Sequence, residues 1–191
     1  MSSLREPERR ELLKLARQAL IFSVEHGSPM AVVPGTSFND PAGAFVTLRK
    51  GKKLRGCIGR LEAEDGLAQT VAYCTYSAAR EDPRFEPVRA AEIPEVTIEL
   101  SVLSAASPIS PQQVQTGVHG LIVTRGGRRG VLLPQVAVEH RLDAERFLEE
   151  ACVKSGLPRD AWRKSDTRIQ AFTAEVFSEK DFDGGGPSSL G

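Results

Sequence analysis

Apolar positions along the chain fall into two periods, and the places where the period changes divide it into elements. Leu12, Ala16, Ala19, Leu20 and Val24 recur at three- and four-residue steps, which predicts a helix with one apolar stripe. Pro7 suits its first turn and Gly27 its stop. Residues 28–43 hold three prolines and two glycines and read as a loop. Residues 44–48 then predict a strand, Lys50-Gly51-Lys52 a hairpin turn, and residues 54–58 the returning strand, ending at Gly59. Residues 68–79 predict a second helix, apolar on one side through Val71, Ala72, Ala78 and Ala79. It breaks before Pro83, because a residue preceding proline avoids the helical region.

Residues 96–102 alternate and are rich in β-branched side chains, so they predict a strand. Residues 120–124 and 130–133 form a hairpin closed by residues 125–129. Asp143 can cap a helix running to about Lys154, with Gly156 as its stop, and residues 169–177 make the last strand. Hairpins with helices interspersed, rather than in strict alternation, predict an α+β fold with mainly antiparallel sheets. The two halves share a rough hairpin-plus-helix rhythm. The stretch 184–191, rich in glycine and serine, has nothing to bury and is expected to be a disordered tail.

With 191 residues the chain has room for a hydrophobic core, and 40% apolar with 26% charged residues excludes a wholly disordered or fibrous polymer. The 25 basic and 25 acidic residues cancel, so no global field draws it to nucleic acid or membrane. No window approaches the ~18 apolar residues of a membrane span, and the N-terminus carries acids before any apolar run. Three cysteines without close spacing suggest reduced thiols and no metal knuckle, so a cytoplasmic location is expected, with no metal or cofactor. Phosphate loops, dinucleotide fingerprints, zinc-protease helices and serine elbows are all missing from the sequence.

The unusual polar residues are few. In Leu54-Arg55-Gly56-Cys57-Ile58-Gly59, a cysteine sits between near glycines, where backbone can approach a ligand or a strand must bend. Alternation puts Arg55 on the face of Cys57, where a guanidinium would favour the thiolate; the rival reading is a small buried hydrophobe. His119, at the mouth of a predicted strand, is the candidate base for a cysteine nucleophile, or else a turn histidine bonded to backbone. Asp82-Pro83-Arg84-Phe85 holds an acid and a base in one fixed loop, to orient a substrate or to seat the loop itself. Pro134-Gln135 presents an amide at a rigid strand end. The bases at 49–60 and at 125–129 could straddle phosphates, although few aromatics accompany them.

Leu54-Arg55-Gly56-Cys57-Ile58-Gly59, Asp82-Pro83-Arg84-Phe85, Gly117-Val118-His119-Gly120-Leu121 and Leu133-Pro134-Gln135-Val136 match, in order, the hallmark segments of the AMMECR domain. The sequence resembles that family from about residue 10 to residue 180, within an expected domain of residues 1–183. The resemblance implies an α+β fold with a larger and a smaller subdomain. It also implies association with Memo-type and radical-SAM proteins in a modification pathway. The expected site is a cleft between subdomains, with Cys57 and His119 as catalytic pair and Arg55, Gly56, Gly59, Asp82, Arg84 and Gln135 binding a small anionic substrate. A non-catalytic module that binds protein or nucleic acid through the same cleft and the basic hairpins is the alternative. Whether the chain is an enzyme is left open by the sequence.

Overall fold

The computed structural model describes residues 3–33, 37–62 and 64–182; the stretch expected to be a disordered tail lies outside the described residues. The chain forms two compact units, the described parts of Met1–Leu103 with Glu175–Gly191, and Ser104–Ala174.

The first unit begins with α1 (Glu6–His26), followed by β1 (Ala44–Lys50), β2 (Lys53–Arg60), α2 (Leu67–Arg80), a 3₁₀ segment (Ala90–Glu95) and β3 (Val96–Leu103). Pro7 lies in the first turn of α1, and Glu6 and Glu8 there favour the positive end of the helix dipole. Gly27 closes α1 in the left-handed conformation (φ 70°), where a side chain would be strained. The strands pair antiparallel in the order β2-β1-β3. Alternation turns Ala44, Val46 and Leu48 of β1 and Ile98, Leu100 and Val102 of β3 into one core with Leu12, Ala16 and Leu20 of α1 and Val71 and Cys74 of α2. Each buried leucine or isoleucine there contributes about 2 kcal/mol by removal from water. Thr47 and Cys57 lie on the opposite face, paired across the two strands.

Gly51 (φ 61°) and Lys52 make the two-residue turn between β1 and β2. That turn pairs Lys50 with Lys53 and Arg49 with Leu54, but the next pair is Leu48 with Gly56. Arg55 is thus the extra residue of a β-bulge, and every pair beyond it shifts by one.

The second unit contains β4 (Ser107–Pro108), β5 (His119–Arg125), β6 (Arg128–Leu132), α3 (Pro134–Glu139), α4 (Ala144–Lys154) and most of β7 (Arg168–Ser178). β7 pairs with β4 on one side and β5 on the other, and β5 pairs with β6, all antiparallel. Leu121, Val123, Phe147, Leu148, Ala151 and Ile169 form its core. Asp143 caps α4 as expected, accepting the Arg146 N–H at 2.8 Å. The short helix α3 was not expected: Pro134 supplies the φ of a first helical turn, so the chain coils where a strand end was predicted.

Candidate functional site

β2 is the outer strand of the first unit's sheet, so alternate backbone groups along it have no strand partner on the open side. At Cys57 both groups are taken up by the loop that follows α2. The Cys57 N–H donates to Asp82 Oδ2 at 2.8 Å, and Arg84 Nη2 donates to the Cys57 carbonyl at 3.1 Å. The two side chains also grip each other, Arg84 donating from Nε and Nη2 to the Asp82 carboxylate at 2.9 and 2.7 Å. Their loop is itself fixed: Asp82 Oδ1 accepts the Arg84 N–H at 3.1 Å, and the Val88 N–H returns to the Ala79 carbonyl at 2.8 Å. The Asp82 side chain is only 2% exposed, whereas Arg84 is 53% exposed. The Arg84 hydrogen bonds, helped by the Cys57 and Arg84 N–H groups, hold the Asp82 carboxyl far below the usual carboxylate range in spite of burial. Asp82 and Arg84 therefore form a charged clamp on the backbone of Cys57.

The neighbouring glycines are required by packing. A Cβ on Gly56 would come within 2.1 Å of the Ala78 carbonyl oxygen, because β2 lies backbone to backbone on α2 there. A Cβ on Gly59 would come within 2.2 Å of the Phe45 ring. The space a side chain would occupy at Gly56 and Gly59 is filled by the protein itself.

Cys57 is half-buried, and Thr47 Oγ1 lies 3.3 Å from its sulfur. Cys74 and Cys152 are completely buried. Burial pushes the Cys74 thiol up to about 11 and raises that of Cys152 as well. The reading of a core hydrophobe fits those two cysteines and not Cys57.

Arg55 departs from its expected role. Its Nε and Nη2 each donate at 3.0 Å to the Glu92 carboxylate, and Nη1 and Nη2 reach the Glu86 and Pro87 carbonyls at 2.9 and 3.3 Å. A guanidinium engaged on both edges, with its side chain 14% exposed, braces a loop and is not available to an anion or to the thiol. The bulge explains the departure, since the alternation that would set Arg55 beside Cys57 is broken at Arg55 itself. The pair holds the Glu92 carboxyl down to about 2.

His119 and Gln135 belong to the second unit. His119 Nδ1 accepts the Gln115 N–H at 3.1 Å, so the neutral ring carries its hydrogen on Nε2. In that tautomer the free nitrogen is a donor, which runs against the base role expected for His119. Gln135 is exposed on the first turn of α3 rather than at a strand end. Most of the basic hairpin bases are also engaged. Arg49, Lys50 and Arg60 face Glu99, Glu95 and Asp65, while Arg125 pairs with Asp166 and Arg128 donates to the Gly156 carbonyl.

Sequence reasoning missed Thr47 and Glu92. Thr47 would stand opposite Gly56 in an unbroken hairpin, and only the bulge moves it opposite Cys57. Glu92 carries no local signal, because its partner is 37 residues away. Among the described residues, no group of three or more His, Cys, Asp or Glu could hold a metal ion, and no helix is long and apolar enough to cross a membrane.

The chain is similar to other proteins over most of its length. A protein of Methanothermobacter thermautotrophicus is 42% identical over 92% of this chain and 96% of its own, and one of Methanopyrus kandleri is 40% identical over 91% and 89%. The crystal structure of uncharacterized protein PH0010 from Pyrococcus horikoshii matches with a TM-score of 0.75 at 37% identity, covering 89% of this chain and 90% of that one. The AMMECR1 family model matches residues 13–177, and the chain belongs to the AMMECR1 family.

Proposed function

We propose that the chain is the small-molecule-binding component of a modification pathway shared with Memo-type and radical-SAM proteins, and that Cys57 is its fixed contact with a small anionic substrate. The observation that carries this reading is the clamp. A buried carboxylate and a bidentate arginine are both committed to the backbone of one half-buried cysteine, whereas Cys74 and Cys152 receive no such support. The clamp fixes the backbone that carries the sulfur. Within the first unit the sulfur's polar neighbours are the Thr47 hydroxyl and the Arg84 guanidinium, itself held by Asp82, while the cation expected beside it, Arg55, is engaged with Glu92. With both nearby guanidinium groups already committed to carboxylates, we read Cys57 as a contact with the substrate.

Capture of the protein from its native host with its pathway partners, followed by mass spectrometry of bound small molecules, tests this. Cys57→Ser should retain the captured molecule and Cys57→Trp should lose it. A covalent adduct on Cys57, with capture abolished in Cys57→Ser, would establish the nucleophile instead.

A further inference from the structure

Beside the clamp, the loop after α2 and the 3₁₀ segment Ala90–Glu95 wall a hollow of about 620 Å³ that carries seven charged side chains. Five are neutralised where they stand. Lys50 pairs with Glu95 at 3.2 Å, Arg55 with Glu92 at 3.0 Å, and Arg84 with Asp82 behind it at 2.7 Å. The two left over are Arg89 and Glu86, of opposite sign. Among the described residues neither Arg89 nor Glu86 makes a direct ion pair; Glu86 feels the charge of Arg55, which is already bidentate on Glu92. They do not pair with each other although three positions separate them.

The backbone holds them in place. Pro87 fixes one torsion between them. Val88 is buried, with its N–H on the Ala79 carbonyl. Arg55 grips the Glu86 and Pro87 carbonyls from inside. Two unlike, unpaired charges thus stand on a pre-set frame in one concavity, with the half-buried ring of Phe85 as an apolar wall.

We infer that this hollow binds a zwitterionic small molecule of the α-amino acid type, its carboxylate on Arg89, its ammonium on Glu86 and its side chain against Phe85. A singly charged ligand would satisfy one of the two groups and face the other unpaired. The inference does not rest on the thiol: loss of this binding leaves the reading of Cys57 standing, and the reverse holds too.

The test is titration of the isotope-labelled protein by NMR, with L-phenylalanine and then glycine as probes. Saturable shifts are expected at the amides of residues 84–92. N-acetyl-L-phenylalanine, which lacks the ammonium, and L-phenylalanine methyl ester, which lacks the carboxylate, should each bind about tenfold more weakly, the loss of one charged hydrogen bond. Arg89→Gln and Glu86→Gln should each lose the free amino acid at unchanged melting temperature, since both side chains are exposed and unpaired. Absence of saturable shifts with both probes overturns the proposal. So does equal binding of either blocked derivative, or wild-type affinity in both variants.

Discussion

Aspartate 82 shows how much one buried charge can decide. It satisfies the Cys57 N–H and fixes Arg84, and both bonds are strongest while it is ionised. Asp82→Ala leaves a buried N–H and half of an ion pair without partners. We expect it to lower unfolding free energy by about 2 kcal/mol, discounted because Arg84 reaches water, as measured by urea denaturation. The pH dependence follows from the direction of the shifts. Asp82 and Glu92 have folded-state pKa values depressed below their unfolded values. Their stabilisation is therefore complete above the unfolded carboxyl range of about 4 and is lost as pH falls through the folded values. Stability in urea should be insensitive to these groups between about pH 7 and 5 and fall in acid. For Glu92, held to about 2, the gap between wild type and Glu92→Gln should close as pH drops from about 4.5 to 2. A gap unchanged to pH 2 contradicts the Arg55–Glu92 assignment. Residues such as these were partly legible. Asp82 and Arg84 stand in a fixed loop either way, but whether they served a substrate or the fold depended on Cys57 being their partner, 25 residues upstream.

Among the elements, the β1–β2 hairpin and its seat on α2 set the geometry of the site. The glycines around Cys57 are visible in the sequence, but their reason is tertiary: Gly56 lets the strand touch the helix backbone at Ala78. Gly56→Ala must push strand from helix and should cost about 3 kcal/mol. Gly51→Ala meets nothing within 4 Å and should cost only the left-handed strain, about 1 kcal/mol. Urea midpoints at unchanged slope measure both, and equal costs would contradict the close approach. Helix and strand positions followed from periodicity because local burial patterns decide them. The bulge at Arg55 did not, since a one-residue insertion leaves the residue pattern of each strand intact while changing what lies across from what.

For the whole molecule, formal charge is balanced in total. Net charge is +0, and most bases at the two hairpins meet an acid or a carbonyl. Binding to a labelled oligonucleotide at low salt should show no saturation by fluorescence anisotropy. Saturable binding that weakens steeply with salt would favour the nucleic-acid reading instead. The α+β, antiparallel character was readable from the order of hairpins and helices. The gathering of side chains was not, because alternation and spacing describe one strand at a time.

The account depends most on Cys57 being a reachable, positioned thiol among three cysteines. Iodoacetamide labelling of the native protein, mapped by peptide mass spectrometry, measures that directly. The predicted result is modification at Cys57 alone, with Cys74 and Cys152 labelled only once urea unfolds the chain. Protection of Cys57 to the same degree as the other two would contradict it.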